Sequence, residues 1–130
     1  MPAKPRGPRS DPPATPTSAD DVPISELKAE LFRALGNPGR IRILEQLVQG
    51  ERSVGELQPL VGLESSHLSQ QLGVLRRANL VVARKEGNQV FYSVRSALMA
   101  NVLAAARQLL ISSLSDTQSL LADLSEERSG

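Results

Sequence analysis

The stretch SSHLSQQLGVLRRANLV, residues 65–81, decides how this chain is read. Leu68, Leu72 and Leu75 recur at helical spacing and predict a buried stripe. Ser65, Ser66, His67, Ser69 and Gln70, with Gln71, crowd the first two turns and face elsewhere. A helix whose outer face met only solvent would favour Lys and Glu, which form helices better than Ser or His. Short neutral hydrogen-bonding side chains read instead as groups that touch a partner. Asn79 suits the end of the helix, because Asn tolerates positive φ better than most residues.

Upstream, ISELKAELFRAL (24–35) places Ile24, Leu27, Leu31 and Leu35 three and four residues apart, an amphipathic helix. Asn37 can then cap a second helix with Pro38 at its first position, where a missing N–H costs nothing. That helix runs to about Gln49, buries Ile41, Leu44, Leu47 and Val48, and stops at Gly50. SVGE (53–56) fits a capping box for a short third helix, which Pro59 is expected to kink or end. VGL (61–63) is a tight turn into the opening stretch.

Downstream, LVVARKEGNQVFYSV (80–94) has β-branched and aromatic residues on both sides of EGNQ, a β-hairpin with a polar tip. Ser96 caps a last helix to about Leu124. Met99, Leu103, Ala106, Leu110, Leu114, Thr117, Leu121 and Leu124 recur along it as a sustained seam, which suits pairing with a copy of itself.

Seven of the nine prolines fall in the first 23 residues, which read as a disordered arm. The domain reading is therefore an arm at 1–23, one domain at 24–124 and a flexible tail at 125–130. No apolar run of membrane-span length and no secretory signal is evident, so a soluble cytoplasmic protein with no membrane partner is expected. There is no cysteine, which removes disulfides, thiolate metal sites and cysteine redox chemistry. Net charge is only +1, but residues 64–95 hold five basic side chains against two acidic ones, a local signal for an anionic partner.

Two helices joined by a tight turn, the second with exposed short polar side chains, give the helix-turn-helix pattern. Its second helix enters the major groove with N-terminal residues toward the bases. Ser and Gln offer donors and acceptors without bulk, and Gln pairs bidentately with adenine. The hairpin, with Arg84 and Lys85 before its tip and Asn88 and Gln89 in it, would be a wing on flanking backbone or minor groove.

This order of elements resembles the ArsR/SmtB family of bacterial winged-helix regulators. The resemblance lies in LFRALGNPGRIRILEQL (31–47), SVGELQPLVGLESSHLSQQLGVLRRANLV (53–81) and GNQVFYSV (87–94), and its cysteine-free pattern is similar to an actinobacterial subgroup. It implies a mainly α fold with a small β-hairpin wing, dimerising through its first and last helices. It also implies a homodimeric repressor that binds double-stranded DNA at imperfect palindromic operators, its own promoter among them. Carried onto this chain, the base-contacting residues are Ser65, Ser66, His67, Ser69 and Gln70. Arg76, Arg84, Lys85, Asn88 and Gln89 meet the backbone or minor groove. The implied dimer residues are Leu27, Leu31, Met99, Leu103, Ala106, Leu110, Leu114 and Leu121. The chain departs from the family at Gln71, where His is frequent, and at Asn79, where Gly is usual.

A third departure concerns the signal. Many members sense metals through cysteines in the third helix or Asp and His pairs in the last. Here residues 53–57 contain no Cys, and the last helix has Asp116 but no His. A transition-metal site needs three or four suitable ligands, so no metal and no cofactor are expected, and the inducer stays open. Asp116 with Asp123 reads as solvated. The competing reading is a winged-helix scaffold without specific DNA binding, against which the basic wing argues. Single-strand binding would call for more aromatic platforms than Phe32, Phe91 and Tyr92. Catalysis would call for a convergent acid, base or phosphate loop, and none is evident.

Overall fold

The computed structural model describes residues 22–129, with side chains through Glu126. The expected arm lies outside the described residues except for Val22 and Pro23. Helix α1 (Ile24–Leu35) has the predicted bounds and starts where the Pro23 carbonyl accepts from the N–H groups of Glu26 and Leu27 at 3.0 and 3.3 Å. On α1, Ile24, Leu27 and Phe32 are exposed and Leu31 is half-buried.

From Ala34 onward the chain builds one core. The Asn37 side chain accepts the Arg40 N–H at 3.1 Å and Pro38 takes the first position of α2 (Pro38–Leu47), as its sequence predicts. The buried stripe is Ile43, Leu44 and Leu47, with Val48 packed at its edge. Ile41 is a correction: it is only half-buried and lines a groove against the last helix, while Ile43 takes the core position. The Arg42 Nε donates to the Val61 carbonyl at 3.0 Å and ties α2 to the end of the next helix.

β1 (Arg52–Ser53) is a strand the sequence did not suggest, because two residues leave no alternation to read. Ser53 also caps α3 (Val54–Val61). Its hydroxyl accepts the Glu56 N–H at 3.1 Å, and its own N–H donates to the Glu56 carboxylate at 2.8 Å. Pro59 sits inside this helix without ending it. The missing bond would have gone to the carbonyl of exposed Gly55, which water can serve. The helix stops at Gly62, whose φ of 69° is the left-handed conformation that glycine adopts without strain.

Helix α4 (Ser65–Arg77) ends in a Schellman motif. The Asn79 N–H bonds the Arg76 carbonyl and the Leu80 N–H bonds the Leu75 carbonyl, both at 3.0 Å, with Asn79 at φ 63°. Asn79 is thus the left-handed terminator expected. β2 (Val81–Glu86) and β3 (Gln89–Val94) form the hairpin, in register from Val81 opposite Val94 to Glu86 opposite Gln89. Gly87 turns it with φ 64°. β1 pairs with the far side of β3, so the antiparallel order is β1-β3-β2.

Leu57 and Val61 of α3, Leu68, Leu72 and Leu75 of α4 and Val81 of β2 close over the α2 stripe. Fully burying a side chain of this size contributes about 1.5–3 kcal/mol, so these residues fix how α4 sits against α2 and α3.

Helix α5 (Leu98–Ser129) begins as the Ser96 hydroxyl accepts the Leu98 N–H at 3.1 Å. It continues past the expected end near Leu124 into the stretch read as a tail. Met99 is 6% exposed and packs in the core of its own chain, whereas its spacing places it on a dimer seam. Its proximity to the domain decides this: only the first turns of α5 reach the core. Beyond them Leu109, Leu110, Ile111, Leu114, Leu120, Leu121 and Leu124 are exposed. Leu98–Glu126 is also long and apolar enough to cross a membrane by length and composition, contrary to the expectation that no such run exists. Ser, Thr, Asn and Gln interrupt its leucines, and Arg107, Asp116, Asp123 and Glu126 are its charged residues.

Candidate nucleic-acid interface

The leucine stripe of α4 faces inward, so the opposite side of the helix is presented to solvent. Ser65, Ser66, His67, Ser69 and Gln70 are all exposed there, as are Arg76 and Arg77. The helix has no side-chain cap at Glu64, which leaves N–H groups at the Ser65 end for an anion. Ser66, Gln70, Gly73 and Arg77 follow one another at spacings of four, three and four, one line of the helix surface. A Cβ built on Gly73 would lie 3.3 Å from the Arg77 guanidinium, so Arg77 folds back over the glycine. Arg77 therefore joins the polar face, which residue type alone did not reveal.

Gln71 does not face outward with its neighbours. It is 7% exposed, and its Oε1 accepts from Arg40 NH1 at 2.8 Å. Its Nε2 lies 3.1 Å from the Nε2 of His67, one turn back. Arg40 is itself anchored, since its Nε donates to the Ala34 carbonyl at 2.6 Å. His67 is thus held from beneath by a side chain of another helix through Gln71. No run of sequence signals this, because Arg40 and Gln71 lie 31 residues apart.

The wing places Lys85, Asn88 and Gln89 in the open. Asn88 and Gln89 border a cleft of about 240 Å³ shared with Ser53 and Gly55 at the start of α3. Arg84 is exposed but engaged. It lies directly opposite Phe91 on β3, with its guanidinium carbon 4.8 Å from the ring centre. Reaching across β3, its Nε and NH2 donate to the two Glu51 carboxylate oxygens at 3.1 and 2.8 Å. Its NH1 donates to Glu86 at 2.6 Å. These hydrogen bonds, to Glu51 first and Glu86 second, hold the guanidinium proton more tightly than usual. The Arg84 hydrogen bond correspondingly holds the Glu51 carboxyl below the ordinary carboxylate range. Two carboxylates thereby more than offset the wing's arginine, and with Lys85 the four charges sum to zero.

Among the described residues, no group of three or more His, Cys, Asp or Glu converges as a metal ion would require. A groove of about 380 Å³ runs between α2 and α5, lined by Ile41 and Glu45 on one side and Leu103, Leu110, Ile111 and Leu114 on the other.

Comparison with known proteins gives this geometry a family. Residues 37–82, from the cap of α2 to the start of β2, match the bacterial regulatory protein family arsR. The HTH-type transcriptional regulator Rv0081 of Mycobacterium tuberculosis is 56% identical over 106 residues, 81% of this chain and 93% of that protein. Its crystal structure superposes with a TM-score of 0.68 at 57% identity, covering 74% of this chain and 97% of that one. The transcriptional repressor BigR of Xylella fastidiosa superposes at 0.62 with 38% identity, covering 65% and 87% of the two chains. A homodimeric winged helix-turn-helix DNA-binding domain, Mb0332 of Mycobacterium bovis, superposes at 0.64 with 29% identity, covering 72% and 86%. With its helix-turn-helix, its wing and these relatives, the chain belongs to the arsR family of bacterial regulatory proteins.

Proposed function

We propose that this chain is a cytoplasmic, homodimeric transcriptional repressor that reads an imperfect palindrome in double-stranded DNA. The observation that carries the reading is the polar outer face of α4, with its Ser, His and Gln side chains exposed over a rigid leucine stripe. Ser65, Ser66, His67, Ser69 and Gln70 take the base edges. Arg76, Lys85, Asn88 and Gln89, and Arg84 once released, meet phosphates and the flanking minor groove.

A second copy supplies the partner for the apolar surface of α5. Leu109 and Leu120, and beside them Leu110 and Leu121, are exposed and eleven residues apart, three helical turns, so each pair stays on one line of a nearly straight helix. Ala106 and Leu114 extend that surface, Leu103 adds a half-buried edge, and Leu27 and Leu31 of α1 are the further residues we assign to the dimer. Dimerisation also accounts for the membrane-like composition of the helix, because Arg107 and Asp116 would be costly within lipid.

Gln70→Ala is expected to weaken the cognate duplex by about 1–3 kcal/mol and leave random DNA nearly unchanged. Equal losses on both duplexes in an anisotropy titration would remove Gln70 from base recognition. Sedimentation of the paired variant Leu110→Glu/Leu114→Glu should show monomers; an intact dimer would place the interface elsewhere.

A further inference from the structure

The chain of contacts from Arg40 through Gln71 to His67 fixes where protons lie. Arginine has donors and no acceptor, so the oxygen of the Gln71 amide must face it, as the 2.8 Å contact with Oε1 shows. The amide nitrogen is thereby turned toward His67 Nε2, 3.1 Å away. An amide NH2 can only donate, so Nε2 must accept, and a neutral imidazole then carries its single proton on Nδ1. Turning the amide over would set its NH2 against the donors of Arg40. At a buried position no water compensates for that loss.

We propose that Arg40 and Gln71 are positioning residues that hold His67 in its Nδ1–H tautomer, so that the exposed ring offers DNA a single, defined donor. The fitting partner is an acceptor on a base edge in the major groove, as guanine presents at N7 and O6, adenine at N7 and thymine at O4; the amino group of cytosine is refused. This rests on the DNA-reading role proposed above. It makes Gln71 a determinant of specificity although Gln71 is buried, and it links α2 to the reading head through hydrogen bonds.

His67 is the sole histidine, so long-range 1H–15N NMR reads its ring nitrogens without ambiguity. In the free protein, with the ring neutral, the expected spectrum has a protonated Nδ1 and an unprotonated Nε2. That is the reverse of the preference of free histidine. Gln71→Glu supplies an acceptor to both neighbours, so one carboxylate oxygen keeps Arg40 while the other takes an Nε2–H, and the tautomer should reverse. Gln71→Met, which buries no charge, should return the ring to the mixture of free histidine. An Nε2–H ring in the wild type, or a tautomer indifferent to both variants, would overturn the proposal.

Selection from random duplexes supplies the second arm. The wild type should deplete cytosine at one position in each half-site. Gln71→Glu should lose that discrimination against cytosine, with affinity for the selected duplex falling about tenfold to a hundredfold. An unchanged selection by His67→Ala would remove the base contact and overturn the proposal even with the tautomer as expected. A wild type that enriches no sequence would contradict the DNA-reading role itself, and the NMR result, obtained without DNA, keeps the two failures apart.

Discussion

Replacing Glu51 by Gln should tighten DNA binding, although Glu51 belongs to no recognition element. Arg84 is among the wing residues proposed to meet the phosphate backbone, yet its guanidinium is bound two-pronged by Glu51 and again by Glu86. A cation already neutralised displaces no counterion from DNA. Glu51→Gln leaves a neutral amide in place and removes one of the two carboxylates that offset Arg84. Each newly neutralised phosphate steepens the slope of log K against log salt by about 0.9, hence by about 1.8 for a dimer with two wings. Glu86 retains part of the charge, so the double variant Glu51→Gln/Glu86→Gln should approach that value and the single one fall short of it. The assay is an anisotropy titration at several salt concentrations on both specific and shuffled duplexes. The gain should appear equally on both, since a phosphate contact carries no sequence information. A slope identical to wild type, or weaker binding by Glu51→Gln, would refute the reasoning: Arg84 would then avoid phosphate or need Glu51 to aim it.

The same pair predicts a pH dependence of stability. Because the folded Glu51 carboxyl titrates below its ordinary range, its contribution is present above that range and is lost as pH falls through the lowered value. Thermal melts of wild type and Glu51→Gln should therefore differ near neutrality and converge in acid; divergence in acid would contradict the pairing. Leu68→Ala, at a fully buried site on α4, should cost about 2–5 kcal/mol in urea unfolding at fixed protein concentration. A loss below ~1 kcal/mol would mean that α4 is less firmly seated than its packing implies. Asn79→Ala should destabilise by about 1 kcal/mol through the left-handed φ at the helix end, whereas Asn79→Gly should be neutral or stabilising.

What the sequence made legible was local. The Asn37 cap, the Ser53–Glu56 box, the left-handed Asn79 and the α4 leucine stripe each lie within a few residues of their partners, where spacing alone carries the physics. What it concealed was pairing at a distance. β1 exists because Arg52 and Ser53 meet Tyr92 and Phe91 across β3, and nothing within two residues announces that. Arg84 read as a free cation because Glu51, its partner, lies 33 residues away. Gln71 read as one more polar side chain of an exposed face, and only the approach of Arg40 makes its burial affordable. Met99 matched the seam by period, yet the seam and the core share the start of α5, and period cannot divide them.

A polar α4 face that reads DNA should distinguish one duplex from another of the same composition. The most direct test is fluorescence anisotropy with labelled duplex from upstream of the chain's own coding sequence and a shuffled control, across a salt series. Nanomolar binding that favours the upstream duplex by about a thousandfold or more, with a steep salt slope, is the expected result. Weak binding, equal on both duplexes, would contradict that role for α4.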